Sequence, residues 1–226
     1  MNATVENLDW VDLRLREIYG EPERRQEPDP LDLMVRTILS QNTSDVNSRR
    51  AHQSLRKKFP TWNAVLNTSE EQVAEAIRSG GLANQKSRRI IRLLTWVSER
   101  SEDFDISWIC EADPEEMLEE FTAIKGIGVK TVAIVLCFAC DRDIFPVDTH
   151  VNRVCRRLGF VAEKSSPTRT FREMDGVIPQ GRSQPIHLNM IRHGRTLCKS
   201  RNPRCDQCPL IGRCLYGQQQ FNGNES

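Results

Sequence analysis

Ile124-Lys125-Gly126-Ile127-Gly128-Val129-Lys130-Thr131, followed after an apolar run by Phe145-Pro146-Val147-Asp148-Thr149-His150, is the stretch on which the fold turns. Before it, residues 115–123 have helical spacing, with Met117, Leu118 and Phe121 able to share one side, and the pattern stops at the two glycines. A second helix is expected from about Val129. Two glycines one residue apart let the chain turn sharply and leave unpaired amides at the new helix N-terminus, a ready anion site that suits a nucleic-acid phosphate. A plain helix-helix connection would use the same residues.

Lys130 falls in the first turn of that second helix, where the positive end of the helix dipole disfavours an ammonium. A nucleophilic amine must be neutral to attack, so the position suits one, although most lysines are simply solvated. Asp148 stands just before an amphipathic pattern through Val151, Val154 and Leu158. It reads as a helix N-cap, and a second, catalytic role is compatible with that one.

Working outward, 226 residues with 38% hydrophobic content can bury one sizeable core or two small ones. No apolar run approaches the roughly 20 residues that span a bilayer, and Met1 to Gly20 lacks the layout of a signal peptide, so a cytoplasmic protein with no membrane partner is expected. A net charge of +1 says little about a polyanion partner, but its distribution says more. Arg182, Arg192, Arg195, Lys199, Arg201, Arg204 and Arg213 are opposed only by Asp206, while acidic residues gather at Glu111 to Glu120.

Period-two alternation is nowhere sustained, so the fold class is all-α. Helices are expected over 5–19, with a stripe through Leu8, Val11, Leu15 and Ile18, from Pro30 to about Ser40, and from Ser44 or Asp45 to about Phe59. Two or three more lie between Trp62 and Arg100, broken at Gly80-Gly81-Leu82-Ala83-Asn84, with Lys86, Arg88, Arg89 and Arg92 after the break available to phosphates. Trp108 to Asp113 reads as a link, and further helices are expected at about 149–157, 167–177 and 184–197. The polar, Pro-rich link 21–28 is a candidate domain boundary, and the tail 217–226 is expected to fray.

Cys198, Cys205, Cys208 and Cys214 form a Cys-x6-Cys-x2-Cys-x5-Cys set in one loop-like segment. In a reducing compartment that indicates a metal site rather than disulfides, and the spacing admits zinc or an iron-sulfur cluster. Cys110, Cys137, Cys140 and Cys155 form no comparable set. Cys137 and Cys140, in an apolar run, read as small buried hydrophobes.

Together the run 124–133, the segment 145–150 and the four-cysteine loop resemble the helix-hairpin-helix DNA glycosylases, specifically the endonuclease III branch, over about 29–214. The resemblance implies a two-lobed fold: a six-helix barrel over 27–143 holding the hairpin at about 115–140, and a second helical lobe from 1–26 and 144–226. It implies a [4Fe-4S] cluster on Cys198, Cys205, Cys208 and Cys214, a Schiff-base lysine at Lys130 and an assisting carboxylate at Asp148. It also implies that Gln41 fills the gap left by an extruded nucleotide, where chemistry alone allows a turn-former, and that Leu82 wedges the base stack. Lys125, Gly126, Ile127, Gly128, His150 and Arg195 complete the expected DNA contacts. The implied protein is a monomeric base-excision-repair glycosylase with AP lyase activity, acting on damaged duplex DNA or abasic sites. The departures are Lys125 where the family usually has proline, and Ala83 where an aromatic often follows the wedge leucine. The second lies beside the expected lesion pocket, so a glycosylase for another modified or mismatched base stands beside one for oxidised pyrimidines. Features of 79–84 and 145–148 also look similar to plant 5-methylcytosine glycosylases. A non-catalytic binder of bent or broken duplex is the rival from another class.

Overall fold

The computed structural model describes residues 2–24 and 26–222, and every regular element among them is helical. The chain divides into two compact units, residues 26–142 and residues 1–25 with 143–226.

The continuous unit contains α2 (Pro30–Ser40), α3 (Asp45–Lys58), the five-residue α4 (Trp62–Leu66), α5 (Glu70–Ala76), α6 (Ala83–Ser98), α7 (Pro114–Thr122) and α8 (Val129–Phe138). The starts follow from side-chain oxygens: Asp29, Ser44, Thr61, Ser69 and Asp113 each accept an amide hydrogen bond from the first turn they precede. In α2 and α7 a proline follows the cap, where its missing N–H costs nothing. α8 is the central element. Seven of its ten residues are buried, from Thr131 to Phe138 with only Ile134 half-buried, as expected of a helix apolar on all sides. It packs on α2 and, across the hairpin, on α7. The expected link 108–113 is instead partly ordered, a 3-10 turn over Ser107–Cys110.

The discontinuous unit contains α1 (Val5–Tyr19), α9 (Thr149–Leu158), α10 (Pro167–Met174), α11 (Ser183–Thr196) and α12 (Leu215–Asn222). Leu8, Val11 and Leu15 of α1, Val151, Val154 and Leu158 of α9, and Ile186 and Met190 of α11 share its core. Ile18, expected in that stripe, is 48% exposed, because the last turn of α1 packs on the core through Tyr19, its final residue, instead. α10 is shorter than expected, since residues 175–177 turn away at Gly176 with φ +71°. The tail expected to fray forms α12 as far as Asn222, beginning beside the buried Cys214; residues 223–226 lie outside those described.

One expectation about cysteines is overturned. Cys140 is not a buried hydrophobe but is disulfide-bonded to Cys110, across 30 residues of sequence. The bond joins the 3-10 turn to the chain just after α8, and Arg142 reinforces the junction by donating to the carbonyls of Cys110 (3.0 Å) and Ala112 (3.3 Å). Spacing along the chain carries no sign of so distant a partner. Cys137 is buried, as expected, and Cys155 is buried as well, neither of them in a disulfide.

Candidate active site and iron-sulfur loop

The hairpin between α7 and α8 is set by its glycines. Gly126 has φ +106°, and a Cβ there would collide with the side chain of Arg89, so both its backbone and its volume demand glycine. Gly128 is the N-cap of α8 and offers no side chain to its first-turn amides, while open space surrounds its Cα hydrogens. The Thr131 amide donates back to the Gly128 carbonyl at 2.8 Å, which leaves those of Val129 and Lys130 with no capping side chain, the arrangement that takes an anion. Lys125 is exposed beside them. Ile127 is buried in the turn, its side chain 5% exposed, and its amide donates to the Ile124 carbonyl at 3.0 Å.

Lys130 is the second residue of α8 and half-buried, so a flexible amine is carried on a largely buried helix. Gln41 caps the C-terminus of α2, and its Oε1 accepts from Arg89 Nη1. Leu82 is 48% exposed at the start of α6, in the left-handed region at φ +49°. An exposed leucine held in a conformation that its Cβ disfavours indicates that the surrounding turn dictates its direction. Of the basic residues after it, Arg88 is paired with Glu70 at 2.7 Å and Lys86 is buried, so neither stands free for a phosphate as the sequence suggested. A lysine five residues past a glycine pair carries no mark of burial in one dimension.

In the discontinuous unit, Asp148 caps α9: its Oδ1 accepts from the amides of His150 and Val151, both at 2.8 Å. The segment leading to it is fixed from α11, where the buried His187 is bonded through Nδ1 to the Pro146 carbonyl at 2.8 Å. His150 packs against Gly194 of α11, where a Cβ would stand 3.0 Å from that of His150. Arg153 Nη2 is shared between the Gly194 carbonyl (2.8 Å) and His150 Nδ1 (3.1 Å). Desolvation pushes the His150 imidazole below its ordinary range, with Arg153 and Arg195 adding to the effect against the opposing charge of Asp148. Arg195 is exposed in the last turn of α11.

Cys198, Cys205, Cys208 and Cys214 line one small cavity together with Val154, Leu158, Leu197, Pro203 and Leu210. Two donors already point at the sulfurs, Arg157 Nη1 at 3.3 Å from Cys198 Sγ and the Gly217 amide at 3.4 Å from Cys214 Sγ, and His193 Nε2 lies 3.6 Å from Cys208 Sγ. Burial and the neighbouring sulfurs raise the thiols of Cys205, Cys208 and Cys214, that of Cys208 to about 12. Four thiolates cannot gather in such a cavity unaided, and a multivalent cationic centre removes the penalty. An apolar shell with N–H groups aimed at sulfur fits an iron-sulfur cluster.

Comparison with known proteins agrees. Residues 35–180 match the family described as HhH-GPD superfamily base excision DNA repair protein, and residues 198–214 match the iron-sulfur binding domain of endonuclease III. Endonuclease III of Sulfolobus acidocaldarius is 36% identical over 191 residues, covering 81% of this chain and 80% of its own. That of Thermotoga maritima is 29% identical over 202 residues, covering 89% and 90%. A solved non-covalent endonuclease III-DNA complex superposes with a TM-score of 0.81 at 25% identity, over 97% of this chain and 99% of that one.

The fold and the hairpin define a helix-hairpin-helix base-excision-repair protein. Within that class, the chain belongs to the endonuclease III family. It is a DNA glycosylase with AP lyase activity, and it carries a [4Fe-4S] cluster.

Proposed function

We propose that this enzyme excises damaged pyrimidines from duplex DNA through a Schiff base on Lys130, and that Cys198, Cys205, Cys208 and Cys214 hold its cluster. The observation that carries the reading is a primary amine in the first turn of a buried helix whose N-terminal amides, opened by Gly126 and Gly128, are shaped for a phosphate. The hairpin grips the backbone, and the target nucleotide leaves the stack at a cost of a few kcal/mol, least for a damaged base.

The Lys130 Nζ lone pair attacks the sugar C1′ and the glycosidic C–N bond breaks. The base departs with that electron pair and is protonated. Opening of the sugar ring moves a pair to O4′, which takes a proton, and leaves an iminium between C1′ and Nζ. Loss of a C2′ proton then expels the 3′ phosphate by β-elimination, nicking the strand, and hydrolysis frees the lysine. Asp148 assists by accepting the proton from Lys130 and by opposing positive charge on the sugar. Gln41 and Leu82 support the opened duplex, while Lys125, His150 and Arg195 contact its backbone. Bound iron-sulfur chemistry supplies a rigid fold for the 198–214 loop, aiming its arginines at phosphates.

The small Ala83 beside Leu82 favours a second substrate reading, another modified or mismatched pyrimidine. A panel of duplexes each carrying one lesion separates the two. The enzyme acts as a monomer where the chromosome lies.

Borohydride tests the central step. With an abasic duplex the wild-type protein should yield a permanent protein-DNA adduct, and Lys130→Ala should yield none. A Lys130→Ala protein that still crosslinks and nicks at the wild-type rate refutes the assignment.

A further inference from the structure

Lys86 is 1% exposed, the largest side chain among the fully buried residues. Its Nζ donates to two backbone carbonyls, Leu39 at 2.7 Å and Gly80 at 2.8 Å. Leu39 lies two residues before Gln41, and Gly80 two residues before Leu82. One ammonium thus ties together the backbone roots of the two side chains assigned to the opened duplex.

Keeping it there is costly. Burial, with the cation of Arg89 nearby, pushes the Lys86 ammonium down to about 8. A methionine would fill the same volume without that penalty, so the two carbonyls are what the charge serves. The backbone on either side of the clasp is strained at non-glycine residues, Asn42 at φ +52° and Leu82 at φ +49°. Such conformations persist only where neighbouring contacts over-determine them. Arg89, three residues along α6, adds a second tie by bonding Gln41 Oε1 and lying under Gly126 of the hairpin.

We propose that Lys86 is a positioning residue for nucleotide extrusion, holding Gln41 and Leu82 in the mutual register that lets both enter the duplex at once. The inference rests on the roles given to those two residues under the proposed function. Lys86 touches neither DNA nor the reacting atoms; it acts through the two loops.

Two substitutions test this from opposite ends of the clasp. Lys86→Met keeps the apolar stem and removes the donors. Gly80→Ala keeps the lysine but disturbs its acceptor, since the new Cβ would stand 3.1 Å from Ala51 Cβ and 4.0 Å from Lys86 Nζ, and the turn must give by a few tenths of an ångström. The cluster-loaded proteins are mixed with a duplex holding a tetrahydrofuran abasic analogue opposite 2-aminopurine, whose fluorescence rises on unstacking. Single-turnover nicking of a true abasic duplex is followed in parallel.

Both variants should bind undamaged duplex as the wild type does, show a smaller fluorescence rise, and nick about tenfold more slowly or worse. Leu82→Ala should cost much in the wild-type background and little on top of Lys86→Met, because the second loss is already contained in the first. A full fluorescence rise with wild-type nicking in a folded variant, or strictly additive losses with Leu82→Ala, overturns the proposal. If Lys86→Met does not fold, Gly80→Ala decides it alone. A wild-type protein that unstacks 2-aminopurine but is never trapped by borohydride would defeat the Lys130 chemistry and leave the clasp standing.

Discussion

Asp148 shows how one carboxylate can carry two burdens that a substitution can separate. Its Oδ1 already accepts two amide hydrogen bonds at the start of α9, a contribution of about 1 kcal/mol to stability. Asparagine caps helices about as well, so Asp148→Asn should keep the melting temperature and the binding of lesion duplex while removing the negative charge. Turnover should fall by a factor of about 100, measured under single-turnover conditions, if that charge takes a proton and opposes the cationic sugar. Undiminished turnover would leave Asp148 as a cap and nothing more. Its capping role was legible from Asp followed by an amphipathic run, and so was the glycine hairpin. Lys86 was not: a buried lysine and an exposed one have the same letter and the same neighbours in sequence, and only the convergence of Leu39 and Gly80 separates them.

At the level of elements, α1 and α11 are bolted together by Arg182, which no local pattern in the sequence marks. Its guanidinium holds both oxygens of the buried Asp12, at 2.8 and 3.0 Å, and both oxygens of Glu21, at 2.7 and 3.1 Å. Arg182→Met would leave the Asp12 carboxylate buried with only the longer contact to Arg16 at 3.4 Å, and should cost about 3 kcal/mol in urea unfolding. The Arg182 hydrogen bonds also hold Glu21 below the usual carboxylate range. A carboxyl depressed in the folded state gives stability that is present above its unfolded value, about 4.3, and that disappears as pH falls through the folded one. The acid side of the stability profile should therefore flatten in Arg182→Met.

The Cys110–Cys140 bond is the companion case in the other unit. Closing a loop of 30 residues is worth about 3 kcal/mol, so reductant, or Cys110→Ser, should lower stability by that order while leaving the cluster absorbance intact. Several helices were readable because they are punctuated locally, by Asp29-Pro30, Ser44, Asp113-Pro114 and Asp148. The bolt and the staple join residues 170 and 30 positions apart, and nothing in a short window encodes them.

For the whole molecule, a net charge of +1 means that attraction to DNA cannot come from the protein's overall field. It must come from cations placed one by one, with acidic residues kept on other surfaces such as α7, whose first turn holds Glu115 and Glu116. Each placed cation then carries a countable share of the binding. Lys125, exposed at the hairpin, is the clearest of them. If it meets a phosphate, Lys125→Ala should reduce the slope of log affinity against log salt by about 0.9 and weaken damaged and undamaged duplex equally. A slope unchanged within error would place Lys125 off the DNA and leave the phosphate to the α8 amides alone. A loss confined to damaged duplex would move Lys125 from backbone grip to lesion recognition. That distinction matters because of the two residues flanking the proposed contact, Lys125 at the hairpin and Ala83 beside Leu82, only the first carries charge.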